Sequence, residues 1–297
     1  MDVGQTAPRC YTIFMKQILK TTILLGALTS LFLMIGYAIG GQKGLYYAFG
    51  LSALTNVASY WFSDKMVLKM QGAKQVDRAG APELYAIVEE LASKGNLPMP
   101  KVYIMDSQVP NAFATGRNMN HAAVAATSTM LRMLTKDELR GVIAHELSHV
   151  KNRDILISTI AATTAGAISV IAQMAYFTGG IFGRSNGDER GSNPLGTLAM
   201  LIIAPLAATL IQLSISRSRE YLADESGAQL VGDGEPLARA LMKLRDFKEG
   251  NIVQPGAFDQ ATAHLMLVNM FTGGNFLSSL FSTHPDINDR IGRLRQM

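Results

Sequence analysis

His145-Glu146-Leu147-Ser148-His149 sets two imidazoles one helical turn apart, with a carboxylate beside the first. On an α-helix, residues i and i+4 share a face with Cβ atoms about 5–6 Å apart, so both rings can reach one ion. Neutral imidazole suits Zn2+ at about 2.0–2.1 Å, and Glu146 is then placed to take a proton from a zinc-activated water. A catalytic zinc takes three protein ligands and leaves a position open. The chain has five histidines, and none follows the pair at short distance, so the third ligand must come from elsewhere. The candidate segment is SRSREYLADESGA (216–228), where Glu220 and Asp224 stand four apart and share a helical face. One of them can bind metal while the other orients a ligand imidazole. Arg217, Arg219 and Glu220 also fit charges snorkelling beside a membrane. Ser148 lacks the Gly-x-Ser-x-Gly setting of a serine nucleophile. The lone Cys10 excludes an intrachain disulfide and a cysteine-based metal site.

The paired histidines need a helix, and the local sequence supplies one. Thr135 precedes Asp137 and Glu138 as a cap with an acidic first turn, and the helical pattern runs through 154. It leads straight into an apolar window at Ile155. Only 17% of the 297 residues are charged, against about 25% in soluble domains. Windows 21–42, 44–63, 155–183 and 191–216 contain no Asp, Glu, Lys or Arg. A bilayer core takes roughly 20 helical residues, so spans are expected at 21–40, 45–62, 155–178 and 195–213. Residues 260–283 also lack acids and bases but contain His264 and Gly273–Gly274, which suits an interfacial flap. The balance of Lys and Arg between loops puts the N-terminus, 63–154 and the C-terminal third on the cytoplasmic side. A net charge of +4, small and spread out, gives no case for nucleic acid.

The expected plan is mainly α (α+β): four transmembrane helices with a cytoplasmic zincin-like domain carrying a small sheet. Residues 1–62 form an N-terminal hairpin, 63–154 the first part of the domain with the zinc helix, 155–213 a second hairpin with an external loop at 179–194, and 214–297 the rest of the domain. Helices are expected at 81–95 (closed by Gly95 as the residue after the helix end), 216–231, 235–248 and 285–296. Strands are expected near 101–106, 111–116 and 121–128.

HELSH at 145–149, NAFATG at 111–116, REYLADESGA at 219–228 and THPDINDRI at 283–291 together resemble the HtpX membrane-bound heat-shock metalloproteases. These are bacterial relatives of the CAAX prenyl endopeptidases. The resemblance covers about residue 15 to the C-terminus. It implies His145, His149 and Glu220 as ligands of one Zn2+ per chain, Glu146 as general base, and Asp224 as partner of a ligand imidazole. Asn111, Ala112, Phe113 and Ala114 would be the edge that pairs with substrate backbone, with the Asn111 amide holding the peptide. His284 would stabilise the oxyanion and Arg290 would anchor the terminal helix. The resemblance also implies a multi-pass bacterial inner-membrane endopeptidase acting on damaged or misfolded membrane proteins beside other quality-control proteases.

Two rivals are separable. An intramembrane protease would place the zinc helix in lipid, where Lys136, Asp137, Glu138, Arg140, Lys151, Arg153 and Asp154 are too many charges. A transporter or scaffold with a structural zinc would have a closed four-ligand site.

Overall fold

The computed structural model describes residues 6–156, 158–160, 217–251, 266–267 and 285–297. The bulk of the spans expected at 155–178 and 195–213, the loop 179–194, His264 and His284 lie outside them, as does the 260–283 flap apart from Met266 and Leu267.

The chain begins with helix α1 (Thr6–Met70), which contains both of the first two apolar windows. It is broken at Gly41, whose φ of 57° and ψ of −140° suit a residue without a Cβ. The break falls beside Lys43, between the two expected spans. Counted over the described residues, no helix is long and apolar enough to cross a membrane.

Next come β1 (Lys74–Val76), α2 (Pro82–Lys94), β2 (Lys101–Met105), β3 (Ala112–Gly116), β4 (Ala122–Thr127), α3 (Ser128–Met133) and α4 (Lys136–Lys151). Then follow α5 (Arg217–Val231), α6 (Glu235–Gly250) and α7 (Ile287–Leu294). The described fold is mainly helical with one small mixed sheet, in the order β1-β2-β4-β3. β2 and β4 are parallel, while β1 and β3 pair antiparallel to their neighbours. Alternation along β4 divides the sheet: Val124 and Ala126 face the main core, Ala123 and Ala125 a smaller cluster with Val67, Leu68 and Phe113. The main core is built by α2 (Ile87, Leu91), α4 (Val142, Ile143, Leu147) and α6 (Leu237, Leu241).

Two helix ends differ from expectation. α2 closes with Asn96, not Gly95, in the left-handed conformation (φ 53°). The Leu97 N–H donates to the Ala92 carbonyl and the Asn96 N–H to that of Ser93, so the residue after the helix end is Asn96, which tolerates this conformation. α4 stops at Lys151, short of 154, by the same device. Arg153 is left-handed (φ 60°), and the Asp154 N–H donates to the His149 carbonyl. Strand β1 and the short α3 were not expected: three and six residues carry too little periodicity to read. His121 lies exposed in a 3-10 turn rather than in a strand, its Nδ1 2.9 Å from the Asn118 side chain that caps the turn.

α4 is the central helix, buried along nearly its whole length. Thr135 and Glu138 form a reciprocal capping box at its start, and the Lys243 ammonium of α6 donates to Glu138 at 2.7 Å. A Cβ placed on Gly141 would meet the Leu237 backbone nitrogen at 2.6 Å. Gly141→Ala must therefore push α6 off α4, an overpacking cost of about 1–3 kcal/mol. The expected result is a lower Tm for the metal-loaded full chain in a thermal melt.

Candidate metal centre

α4 delivers both histidines to one point. Their Nε2 atoms are 3.2 Å apart, and the rings meet edge to face at 89°. α5 packs along α4 and brings Glu220 to the same point. Its Oε2 is 3.7 Å from His145 Nε2 and its Oε1 3.7 Å from His149 Nε2. One ligand atom from each of the three residues lies within 4.8 Å of the others.

The donor set fits a tetrahedral metal. Two imidazole nitrogens at about 2.05 Å from a tetrahedral zinc stand about 3.3 Å apart, close to the separation here. The surrounding charge fits as well. Four buried carboxylates (Glu146, Asp154, Glu220, Asp224) face two guanidinium groups, Arg219 and Arg290. The surplus of negative charge suits a divalent cation.

Each imidazole has its own carboxylate on the Nδ1 side. Asp224 Oδ1 is 2.9 Å from His145 Nδ1, close but not aligned for a hydrogen bond. Asp154 Oδ2 is 3.0 Å from His149 Nδ1. The tight turn after α4 makes the second contact, because it folds Asp154 back over the last helical turn. In the sequence Asp154 shows only as one of the charges that keep the zinc helix out of lipid; its pairing with His149 is a product of the turn.

In the metal-free chain, burial opposes charge on both rings, and the carboxylates outweigh it. His145 is raised by the Asp224 and Glu220 carboxylates beside it. His149 is pushed up to about 10 by the Asp154 charge and hydrogen bond, helped by Glu220 and Glu146. A raised histidine pKa means that the proton must leave before a metal can bind. Metal affinity should thus rise with pH from neutral toward about 10, with proton release, measurable by titration calorimetry in buffers of different ionisation enthalpy. Asp154→Asn keeps the size but removes the charge, and should weaken metal binding about tenfold in competition with a chromophoric chelator.

Burial raises the Glu146 pKa, against the pull of His145, His149 and the Ala114 N–H. That N–H, on β3, donates to Glu146 Oε2 at 2.9 Å. Among the described strands, β3 lies at an edge of the sheet. The Thr127 N–H donates to the Asn111 carbonyl, so by alternation Phe113 and Thr115 face β4 while Ala112, Ala114 and Gly116 turn their backbone groups to the outer side, where the Gly116 N–H donates to the Thr159 hydroxyl at 3.2 Å. The Asn111 side chain is engaged within the chain: its Oδ1 accepts the Leu267 N–H at 3.3 Å. Phe113, Ala114, the two histidines, Glu146 and Glu220 line one cavity, completed by Ile155, Ser158, Met266 and Leu267. Asp224 stays ionised, its pKa near 2: burial would raise it, but the Arg290 charge, the Arg290 hydrogen bonds and the neighbouring His145 prevail.

Such an apparatus belongs to a metallopeptidase. Residues 78–297 match the model of peptidase family M48, and the chain belongs to that family. It is 50% identical over 283 residues to a protein named Protease HtpX homolog from Methylibium petroleiphilum, covering 95% of this chain and 98% of that one. It is 52% identical over 278 residues to a Protease HtpX homolog from Burkholderia mallei, covering 94% and 96%. The crystal structure of S. mikatae Ste24p aligns with a TM-score of 0.49 at 19% identity, over 96% of this chain and 67% of that one.

Proposed function

We propose that this chain is a membrane-integrated zinc endopeptidase that cuts damaged or misfolded membrane proteins at the cytoplasmic face. The observation that carries the reading is the convergence of His145, His149 and Glu220, with the buried carboxylate of Glu146 lining the same cavity. Bound by those three residues, zinc would supply a Lewis acid that acidifies a water and polarises the scissile carbonyl.

The remaining work falls to the protein. Glu146 takes a proton from the attacking water, whose oxygen bonds to the carbonyl carbon. The same carboxyl passes that proton to the amide nitrogen as the C–N bond breaks. Its raised pKa suits both halves of this exchange. The Ala114 N–H fixes the carboxylate, and Asp224 and Asp154 orient the two imidazoles. With the Ala114 N–H kept for Glu146, the edge would pair with an extended substrate backbone through Ala112 and the Ala114 carbonyl. His284 is assigned to the oxyanion from the sequence motif alone. The membrane part of the reading rests on the four charge-free windows. Within α1, Tyr46, Tyr47, Phe49, Leu54, Trp61 and Phe62 are all more than half exposed, a run of outward apolar side chains that suits lipid.

The test uses the full chain in detergent. Casein hydrolysis should require one zinc per chain, stop on chelation and return on adding zinc. Hydrolysis that persists after complete metal removal would end the proposal.

A further inference from the structure

The cavity has two characters. His145, Glu146, His149 and Glu220 make one part polar, whereas Phe113, Ile155, Met266 and Leu267 give it an apolar lining. Met266 and Leu267 belong to none of the described helices or strands, yet they are 8% and 3% exposed and packed into the main core. The Leu267 backbone is held on both sides. Its N–H donates to Asn111 Oδ1 at 3.3 Å, and its carbonyl accepts from Arg290 Nη1 at 3.1 Å.

Arg290 is itself only 1% exposed, and its other two nitrogens grip Asp224 as a fork: Nε to Oδ2 at 2.9 Å and Nη2 to Oδ1 at 2.7 Å. A guanidinium is planar and its donors are fixed relative to one another. Whatever places Asp224 beside His145 therefore also places the Leu267 carbonyl. The chain of contacts runs His145, Asp224, Arg290, Leu267, Asn111, from a proposed metal ligand to the start of the edge strand.

We propose that Met266 and Leu267 form the wall that selects the substrate side chain next to the scissile bond, favouring an apolar one. Arg290 is the positioning residue that keeps this wall in register with His145. The proposal rests on the peptidase reading of the same cavity. Methionine is unbranched and adaptable, so Met266 sets the depth of the pocket without demanding one shape. A change of a few methylenes in such a pocket is worth about tenfold or more in discrimination.

The experiment measures binding, so that it does not depend on catalysis. Fluorescent peptides differing only at one residue (Ala, Leu or Phe) are titrated against the zinc-loaded full chain carrying Glu146→Gln, with zinc content and thermal melts recorded. In that background Met266→Ala should shift preference from Leu toward Phe by about tenfold, and Met266→Phe should shift it toward Ala, both at full zinc content. Leu267→Ala serves if a Met266 variant does not fold. Arg290→Lys keeps the charge but loses the fork, and should flatten the preference and weaken zinc binding together. Preferences that stay within about twofold in the Met266 and Leu267 variants would overturn the wall. Arg290→Lys weakening zinc with preference intact would overturn the positioning role. No casein cleavage by the unmutated chain, or cleavage that does not need zinc, would instead count against the zinc-peptidase reading of this cavity, and leaves these binding ratios readable.

Discussion

Glu146→Gln should lower peptide hydrolysis by about 10³-fold while zinc content stays at the wild-type level. The two halves of this result come from different atoms. The ligand atoms belong to His145, His149 and Glu220, so the metal loses none of them. Glutamine keeps the length and an oxygen that can still accept the Ala114 N–H, which now meets Glu146 at 2.9 Å. Only the ability to carry a proton disappears. The comparison therefore isolates proton transfer from both metal binding and folding. It is read by cleavage rate and zinc-to-protein ratio on the same sample. Retained hydrolysis would remove Glu146 from the role of base, and lost zinc would mean that it is a ligand.

The second large effect concerns stability. Arg290→Met should cost about 3–5 kcal/mol, because it strands the Asp224 carboxylate in the core without its cation. Asp224 and Arg290 are 2% and 1% exposed, and burial penalises charge on both. Each depends on the other: Arg290 holds Asp224 ionised, and Asp224, with Glu220 and Glu146, holds Arg290 charged against its own burial. The double variant Asp224→Leu/Arg290→Met should recover much of the loss, since no lone buried charge remains. Thermal melts of the single and double variants check this. Equal destabilisation of the double variant and the sum of the singles would deny the coupling.

What could be read in advance follows the range of the interactions. The i, i+4 relations were legible, because a helix turns a spacing into a shared face: His145 with His149, and Glu220 with Asp224. So was the Thr135 cap, a contact across three residues. The carboxylate beside His149 was not, because it depends on the chain reversing at Arg153, an unfavourable residue for a left-handed turn. The contact between Leu267 and Asn111 was not legible either, since it spans 156 positions and uses a backbone N–H that any residue possesses. Arg290 appeared as an anchor for the last helix. Its bridge from Asp224 to Leu267 emerges only when α5 and α7 are packed together. Strand β1 is too short to carry an alternating pattern, and it forms because β2 offers an edge to pair with.

The claim beneath all of this is that two imidazoles of α4 and one carboxylate of α5 hold a single zinc ion. X-ray absorption at the zinc edge, on the full chain loaded with one equivalent, tests it most directly when the unmutated protein is compared with Glu220→Ala. The account predicts imidazole scattering with only nitrogen and oxygen neighbours at about 2.0–2.1 Å. It also predicts that the variant loses an oxygen neighbour, holds zinc far less tightly and no longer cleaves casein. An unchanged spectrum and unchanged zinc affinity in Glu220→Ala would contradict it.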